Sequence, residues 1–270
     1  MSRARLKRLL KTRPSVSPFL VLGDPTPSIS LELAKTAVDA GAAALEIGFP
    51  YGDPVADGPA IQKADMRALG SGTSTSGAFA LLARIHDARP RTPLNLLVYG
   101  NLVHARGFER FAAEAAASGA SSLLVPDVPF EESAPLKRAC RAARLAHPQL
   151  VGPLTPEERL RRIDGTADGF LYLVAHQGIT GVREGDFDSV ESLVARTVSV
   201  VRNPLCLGFG LSSSHQIARA FRAGARLAVV GSHLANVIGD AWEEDGADRG
   251  ERVIERFGSA VRDLMPGSPG

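Results

Sequence analysis

Short, nearly unbroken apolar runs alternate with longer stretches in which apolar residues recur every three or four positions, and this alternation repeats eight times along the chain. The apolar runs are FLVLGD (19–24), ALEIGFP (44–50), LNLLVYGN (94–101), SSLLVPDVP (121–129), PQLVGPL (148–154), GFLYLVAH (169–176), PLCLGFGL (204–211) and LAVVGSHL (227–234). Runs of this kind, without polar alternation, predict parallel strands covered on both faces. Between them, SISLELAKTAVDAG puts Leu31, Ala34 and Val38 on one helical stripe and closes at Gly41, a C-terminal stop. SGAFALLARIHDAR, GFERFAAEAAASG, FEESAPLKRACRAARLA, PEERLRRI, SVESLVARTVSVV, SSHQIARAFRAG and DRGERVIERFGSAVRDLM carry similar stripes. Eight strand–loop–helix units predict an α/β protein of the (β/α)8 TIM-barrel class. A doubly wound open sheet is the competing arrangement, and no GxGxxG follows the first strand to support it.

Ahead of the first strand, Leu6, Leu9 and Leu10 fall at helical spacing among six basic residues, so residues 1–14 are expected to form an amphipathic helix packed on the barrel. The alternative for this basic stretch is a targeting or polyanion-binding arm; it lacks the apolar core of a signal peptide. No linker or shift in composition divides residues 1–270, which are expected to form one domain with a frayed tail at 266–270.

Composition narrows the function without specifying it. With 44% hydrophobic residues and a net charge of +2, the chain can bury a large core and is not built as a whole to hold nucleic acid or a membrane surface. No apolar run reaches the length that spans a bilayer. Cys140 and Cys206 have no CxxC spacing and no His at ligand distance, so both are expected as buried thiols in a reducing, cytoplasmic setting, with no metal and no cofactor indicated.

Barrel active sites lie at the C-terminal ends of the strands. That rule selects Asp24, Glu46, Asp57, Tyr99, Asn101, Asp127 and Tyr172, together with the rim segments HQGITG, GFG and GS. Gly178, Thr180 and Gly181, then Gly208 and Gly210, then Gly231 and Ser232 put small residues and backbone N–H groups around strands six to eight, where barrels commonly bind phosphate. SHLANVI, starting just after Gly231, is the candidate short helix whose N-terminus adds donors. In LEIGFPYGDPVADGPA, Glu46 alternates with Leu45 and Ile47, so it faces the barrel if its neighbours face the helices. Burial there raises a carboxyl pKa toward the range of a general acid and base, whereas Asp57, in a wetter Gly/Pro-rich loop, is expected to stay ionised. The competing reading makes Glu46 a structural residue paired with an arginine brought in through space.

The order and spacing of PFLVLGDP, ALEIGFPYGDPVADGPAIQ, LLVYGNLV, PDVPFEES, GITG, GFGLSS and VGS resemble the tryptophan synthase α subunit family over about residues 15–240. The resemblance implies a (β/α)8 lyase that splits indole-3-glycerol phosphate into indole and glyceraldehyde 3-phosphate in tryptophan biosynthesis. By matched motif it implies Glu46 as catalytic acid and base, Asp57 on the indole N–H, and Tyr172 beside Glu46. Phe19, Ile61, Leu97 and Tyr99 would line the indole pocket, and Gly181, Gly210, Gly231 and Ser232 would bind phosphate. Asp53, Pro54 and Thr180 would belong to lid loops that also meet a β subunit in an α2β2 assembly. Gly52, His176, Gln177 and His233 depart from the family pattern at the lids and the phosphate rim without removing a catalytic group.

Three other readings compete. A stand-alone lyase releasing free indole for a specialised pathway would share every catalytic residue. A non-catalytic subunit that activates a partner is disfavoured by the presence of both Glu46 and Asp57. Another phosphate-binding barrel, such as an isomerase, would not carry the strand-two motif in this form.

Overall fold

The computed structural model describes residues 2–175, 187–208, 210–244 and 246–266. Eight parallel strands follow one another around a barrel in the order β4-β3-β2-β1-β8-β7-β6-β5. They are β1 (Ser15–Val21), β2 (Leu45–Gly48), β3 (Leu94–Leu97), β4 (Ala120–Leu124), β5 (Gln149–Val151), β6 (Leu171–Val174), β7 (Leu205–Gly208) and β8 (Leu227–Val230). The seam between β4 and β5 is thin. It is a single bridge from Ser122 to Ala146, with Leu123 N–H donating to Ala146 O and Ala146 N–H to Ser121 O, both at 3.0 Å.

Outside the strands run α2 (Pro27–Asp39), α3 (Pro59–Gly70), α4 (Thr75–Ala88), α5 (Gly100–Arg106), α6 (Phe108–Ala117), α7 (Ala134–Ala142), α8 (Glu157–Asp164), α9 (Phe187–Val200), α10 (Ser214–Arg222), α11 (Ser232–Glu243) and α12 (Arg249–Asp263), preceded by α1 (Ser2–Thr12). Several start where the sequence supplies a cap. Thr26, ahead of Pro27, accepts from Ile29 N–H; Ser74 accepts from Gly77 N–H; Ser213 accepts from Gln216 N–H. Each satisfies a donor that the first turn leaves unpaired.

The strands were expected where they occur, with two differences. β1 starts at Ser15, four residues before the apolar run, because Ser17 turns into the barrel and a small polar residue fits there although it breaks the hydrophobic pattern. The segment after Leu97 is not strand but leads into α5, whose seven residues are too few to show a helical period. No helix among the described residues is long and apolar enough to cross a membrane.

Two apolar groups form the core. The larger lies between strands and helices and takes Leu20, Leu45, Ile47, Leu96, Leu123, Leu171 and Leu207 from the outward faces of the strands. The smaller fills the barrel with Phe19, Leu124, Phe170, Tyr172, Cys206, Leu227 and Val229. Helix α1 belongs to the second group: Leu6 and Leu10, 0% and 2% exposed, close the N-terminal mouth of the barrel beside Phe170. The basic face of α1 is also tied down, since Arg3 and Lys7 both reach Asp168 at 2.5 Å and Arg226 Nε donates to Leu10 O at 3.0 Å.

Truncating this plug tests its place in the cooperative unit. Leu6→Ala is expected to cost about 2–4 kcal/mol by the loss of buried methyl groups and the cavity left behind. A urea-unfolding midpoint equal to the parent's would show that α1 does not fold with the barrel.

Candidate active site

The site begins with the pleat of β2. Leu45 and Ile47 are fully buried against the helices, so Glu46 between them points into the barrel, where it is 3% exposed. Among the described residues no cation pairs with it; its hydrogen-bond partner is Tyr172, whose hydroxyl donates to Oε2 at 3.1 Å. Among the described residues no arginine supplies the partner that the structural reading of Glu46 required. Burial pushes its carboxyl up to about 8; the Tyr172 hydrogen bond opposes the rise and the nearby Asp57 adds to it. Tyr172 reaches this position because β7 ends in Gly208. A Cβ there would lie 2.1 Å from the Tyr172 hydroxyl, so Gly208, counted from sequence with the small rim residues, makes room for a catalytic-site side chain.

Beyond Gly48 the chain enters the loop that carries Asp57. Its first residue, Phe49, is fastened outside the barrel in a cluster with Phe79 and Phe111, ring centroids 4.9 and 5.9 Å away. Turn hydrogen bonds from Val55 N–H to Asp53 O and from Asp57 N–H to Pro54 O, at 2.9 and 3.0 Å, then fold the segment back toward the barrel axis. Asp57 is half-buried. Tyr99 donates its hydroxyl to Asp57 Oδ2 at 2.7 Å and accepts Ala56 N–H at 3.1 Å. Burial raises the Asp57 pKa above its ordinary value, against the lowering by Tyr99, so the carboxyl is less wetted than its Gly/Pro-rich loop suggested. Tyr99 is corrected in place, because it does not line the pocket but holds Asp57 from behind.

Glu46 and Asp57 open on one cavity of about 450 Å³. Phe19, Ile61, Leu97 and Val229 form its apolar wall, and Tyr172 stands beside Glu46. At the opposite end lie Gly210, Leu211, Ser212, Gly231, Ser232, His233 and Asn236. Ser232 is the first residue of α11, with Gly231 as an N-cap that offers no side chain, so the first N–H groups of a twelve-residue helix face this end. That helix is longer than the short one expected from SHLANVI.

The chain over residues 6–262 matches the family model for the tryptophan synthase alpha chain. The chain belongs to the tryptophan synthase alpha chain family. It is 40% identical over 221 residues to the tryptophan synthase alpha chain of Shewanella oneidensis, covering 82% of this chain and 80% of that one. It is 38% identical over 228 residues to that of Corynebacterium glutamicum, covering 84% and 81%. In three dimensions it superposes with a TM-score of 0.83 on a chain from the tryptophan synthase α2β2 complex of the hyperthermophile Pyrococcus furiosus, at 34% identity over 93% of this chain and 98% of that one.

Of the residues expected at a tryptophan synthase alpha site, the structure brings Glu46, Asp57, Tyr172, Phe19, Ile61, Leu97, Gly210, Gly231 and Ser232 around one cavity. Asp53 and Pro54 lie on the outer turn of the Asp57 loop, away from it. Thr180, Gly181, His176, Gln177 and Gly178 lie outside the described residues. Three residues chosen by the rim rule do structural work. Asp24 accepts two hydrogen bonds from Arg67, Asp127 accepts Gly100 N–H at 2.8 Å, and Asn101 donates to the Tyr51 hydroxyl at 2.7 Å. Sequence reasoning missed Ser212 and Asn236. Asn236 had a usable signal, since it lies one helical turn after Ser232 on the same face.

The Glu46 environment has a measurable cost. In the unfolded chain this carboxyl ionises near 4.5, in the fold near 8, so between these values the unfolded state binds fewer protons and stability falls as pH rises. Glu46→Gln is expected to match the parent near pH 4, to gain up to about 1.4 kcal/mol per pH unit above the unfolded-state pKa, and to level off once Glu46 ionises in the fold. Denaturant unfolding from acid to alkaline pH checks this, and a pH-independent difference would mean that Glu46 is already ionised in the folded protein.

Proposed function

We propose that the chain is the lyase component of a tryptophan synthase and splits indole-3-glycerol phosphate into indole and glyceraldehyde 3-phosphate by a retro-aldol reaction. One observation carries the reading: a buried, proton-holding carboxyl and a second carboxyl in a different setting face one apolar-walled cavity whose far end is a helix N-terminus.

The chemistry assigns each part. Phe19, Ile61 and Leu97 hold the indole ring, and the phosphate sits at Gly210, Gly231 and Ser232, against the N–H groups that open α11. Gly181 completes this grip by the family motif. Glu46 gives its proton to C3 of the indole, which makes the ring an iminium and an electron sink. Asp57 accepts the ring N–H and stabilises the positive charge that develops there. The C3–C1′ bond then breaks, its electron pair returns to the ring to give neutral indole, and the C1′ hydroxyl passes its proton to the Glu46 carboxylate as the aldehyde forms. Atoms and charge balance, no oxidant is required, and Glu46 ends the cycle protonated. Tyr172 orients Glu46 between the two transfers, and Tyr99 orients Asp57.

The reading includes an α2β2 assembly with a tryptophan synthase β subunit. It is supported by the origin of the Pyrococcus furiosus relative in such a complex and by Val55, an apolar residue 83% exposed in the loop that carries Asp57. Asp53, Pro54 and Thr180 belong to the loops that would close over the substrate and meet that partner. A cytoplasmic setting accords with the two buried free thiols, Cys140 and Cys206.

The test is indole release from indole-3-glycerol phosphate, measured alone and with a β subunit. Glu46→Gln is expected to lower turnover by about 10²–10⁴-fold while ligand binding persists, and Asp57→Asn by about 10²–10³-fold. Turnover retained by Glu46→Gln would remove it as the acid. Fast release unaffected by the β subunit would favour a stand-alone lyase, and none under either condition a non-catalytic subunit.

A further inference from the structure

Beneath the cavity, Asp65 on α3 is buried, 3% exposed, and takes no part in the chemistry described above. It stands among acidic neighbours: Asp57 from the loop after β2 and Asp24 from the end of β1. The guanidinium on its own helix, Arg67, is committed to Asp24 by two hydrogen bonds of 2.7 and 3.0 Å. Among the described residues Asp65 receives no cation. Its Oδ1 accepts the backbone N–H of Tyr51 at 3.3 Å, and its Oδ2 is buried without any partner. A bare charge in that setting is costly, and when neighbouring carboxyls share a poorly solvated region the proton settles on the one least able to carry charge. Burial first, then Asp57, raise Asp65 to about 8, while the Tyr51 amide opposes the rise and Asp24 adds to it.

The hydrogen bond that Asp65 accepts from Tyr51 leads on to Asp57. Tyr51, whose amide it holds, stacks on Tyr99 with ring centroids 5.1 Å apart and planes 27° apart. Asn101 fixes the other end of Tyr51 by donating to its hydroxyl at 2.7 Å. Tyr99 in turn donates to Asp57 at 2.7 Å and accepts from Ala56 N–H, one residue before it. The groups facing Asp65 are thus Asp57, Asp24, the Tyr51 amide and, more distantly, the Tyr99 hydroxyl.

We propose that Asp65 is the positioning residue of Asp57, working in its protonated form: it pins the Tyr51 end of the loop and leaves the negative charge of the pair on Asp57. This rests on the role given to Asp57 above and adds the residue that keeps Asp57 placed and ionised. Asp65→Asn retains the acceptor and the neutral charge, so the conservative variant is expected to keep kcat within about threefold of the parent at neutral pH. Asp65→Leu keeps the side chain buried but loses the acceptor, and it is expected to lower kcat about tenfold or more with little change in KM.

The experiment combines a double-mutant cycle with infrared spectroscopy of the protonated-carboxyl C=O band. Asp65→Leu is expected to add nothing to Asp57→Asn, because it acts through Asp57. Between about pH 6 and pH 9 the parent is expected to lose one more C=O band than Asp65→Asn does. An undiminished tenfold effect of Asp65→Leu in the Asp57→Asn background, an Asp65→Asn variant as slow as Asp65→Leu, or equal band loss in parent and Asp65→Asn would each overturn the proposal. If the parent released no indole, the function itself would fail, while the infrared comparison would still report where the proton lies.

Discussion

A carboxyl group buried in a barrel, with no cation beside it among the described residues, is the constraint around which this molecule is arranged. Glu46 is held there by the packing of Leu45 and Ile47 on the other face of the same strand, so leaving the barrel would mean exposing two large apolar side chains. Because no guanidinium or ammonium accompanies it among the described residues, burial holds its carboxyl well above the usual carboxylate range and keeps a proton available. Had an arginine been its partner, the same position would be an ion pair with nothing to donate. The surroundings conform to this requirement: Tyr172 supplies one neutral hydrogen bond, and Gly208 gives up its side chain to let that hydroxyl through.

The second carboxyl is managed by different means. Asp57 is placed by a hydroxyl and a folded-back loop, and the loop is moored at its start by Phe49 in the aromatic cluster outside the barrel and by Tyr51 against Tyr99, and at its far end by the Tyr99 hydroxyl on Ala56 and Asp57. Rigid groups thus bracket a segment whose middle, around Val55, lies open to solvent. A polar layer also lines the barrel interior near Glu46, where Asn95, its neighbour in register on β3, accepts a hydrogen bond from Ser122 at 2.9 Å.

Much of this was readable before any coordinates, and the division follows from the reach of each interaction. Strand order, the inward aim of Glu46 and the packing of α1 rest on periodicity, which is local and written every two or four residues. The start of β1 escaped because Ser15 and Ser17 violate that period for the sake of interior space. Tyr99 was given to the pocket by the family motif; its partner Asp57 is 42 residues away in sequence and nothing local marks the pair. Asp65 and Gly208 were opaque for the same reason, since one is defined by a carboxyl oxygen left without a partner among the described residues and the other by a side chain arriving from a neighbouring strand. The partial burial of Asp57 escaped because loop composition reports wetness only when the loop does not fold back over a cavity.

The plug formed by α1 has a bearing on traffic through the site. With Leu6 and Leu10 filling the N-terminal mouth beside Phe170, the barrel is a blind vessel and not a pipe. Traffic to and from the cavity therefore runs on the side of the strands' C-terminal ends, where Glu46, Asp57 and Ser232 lie. A closed floor thus leaves one face of the barrel, the one that carries the reacting carboxyls, to do all the exchange.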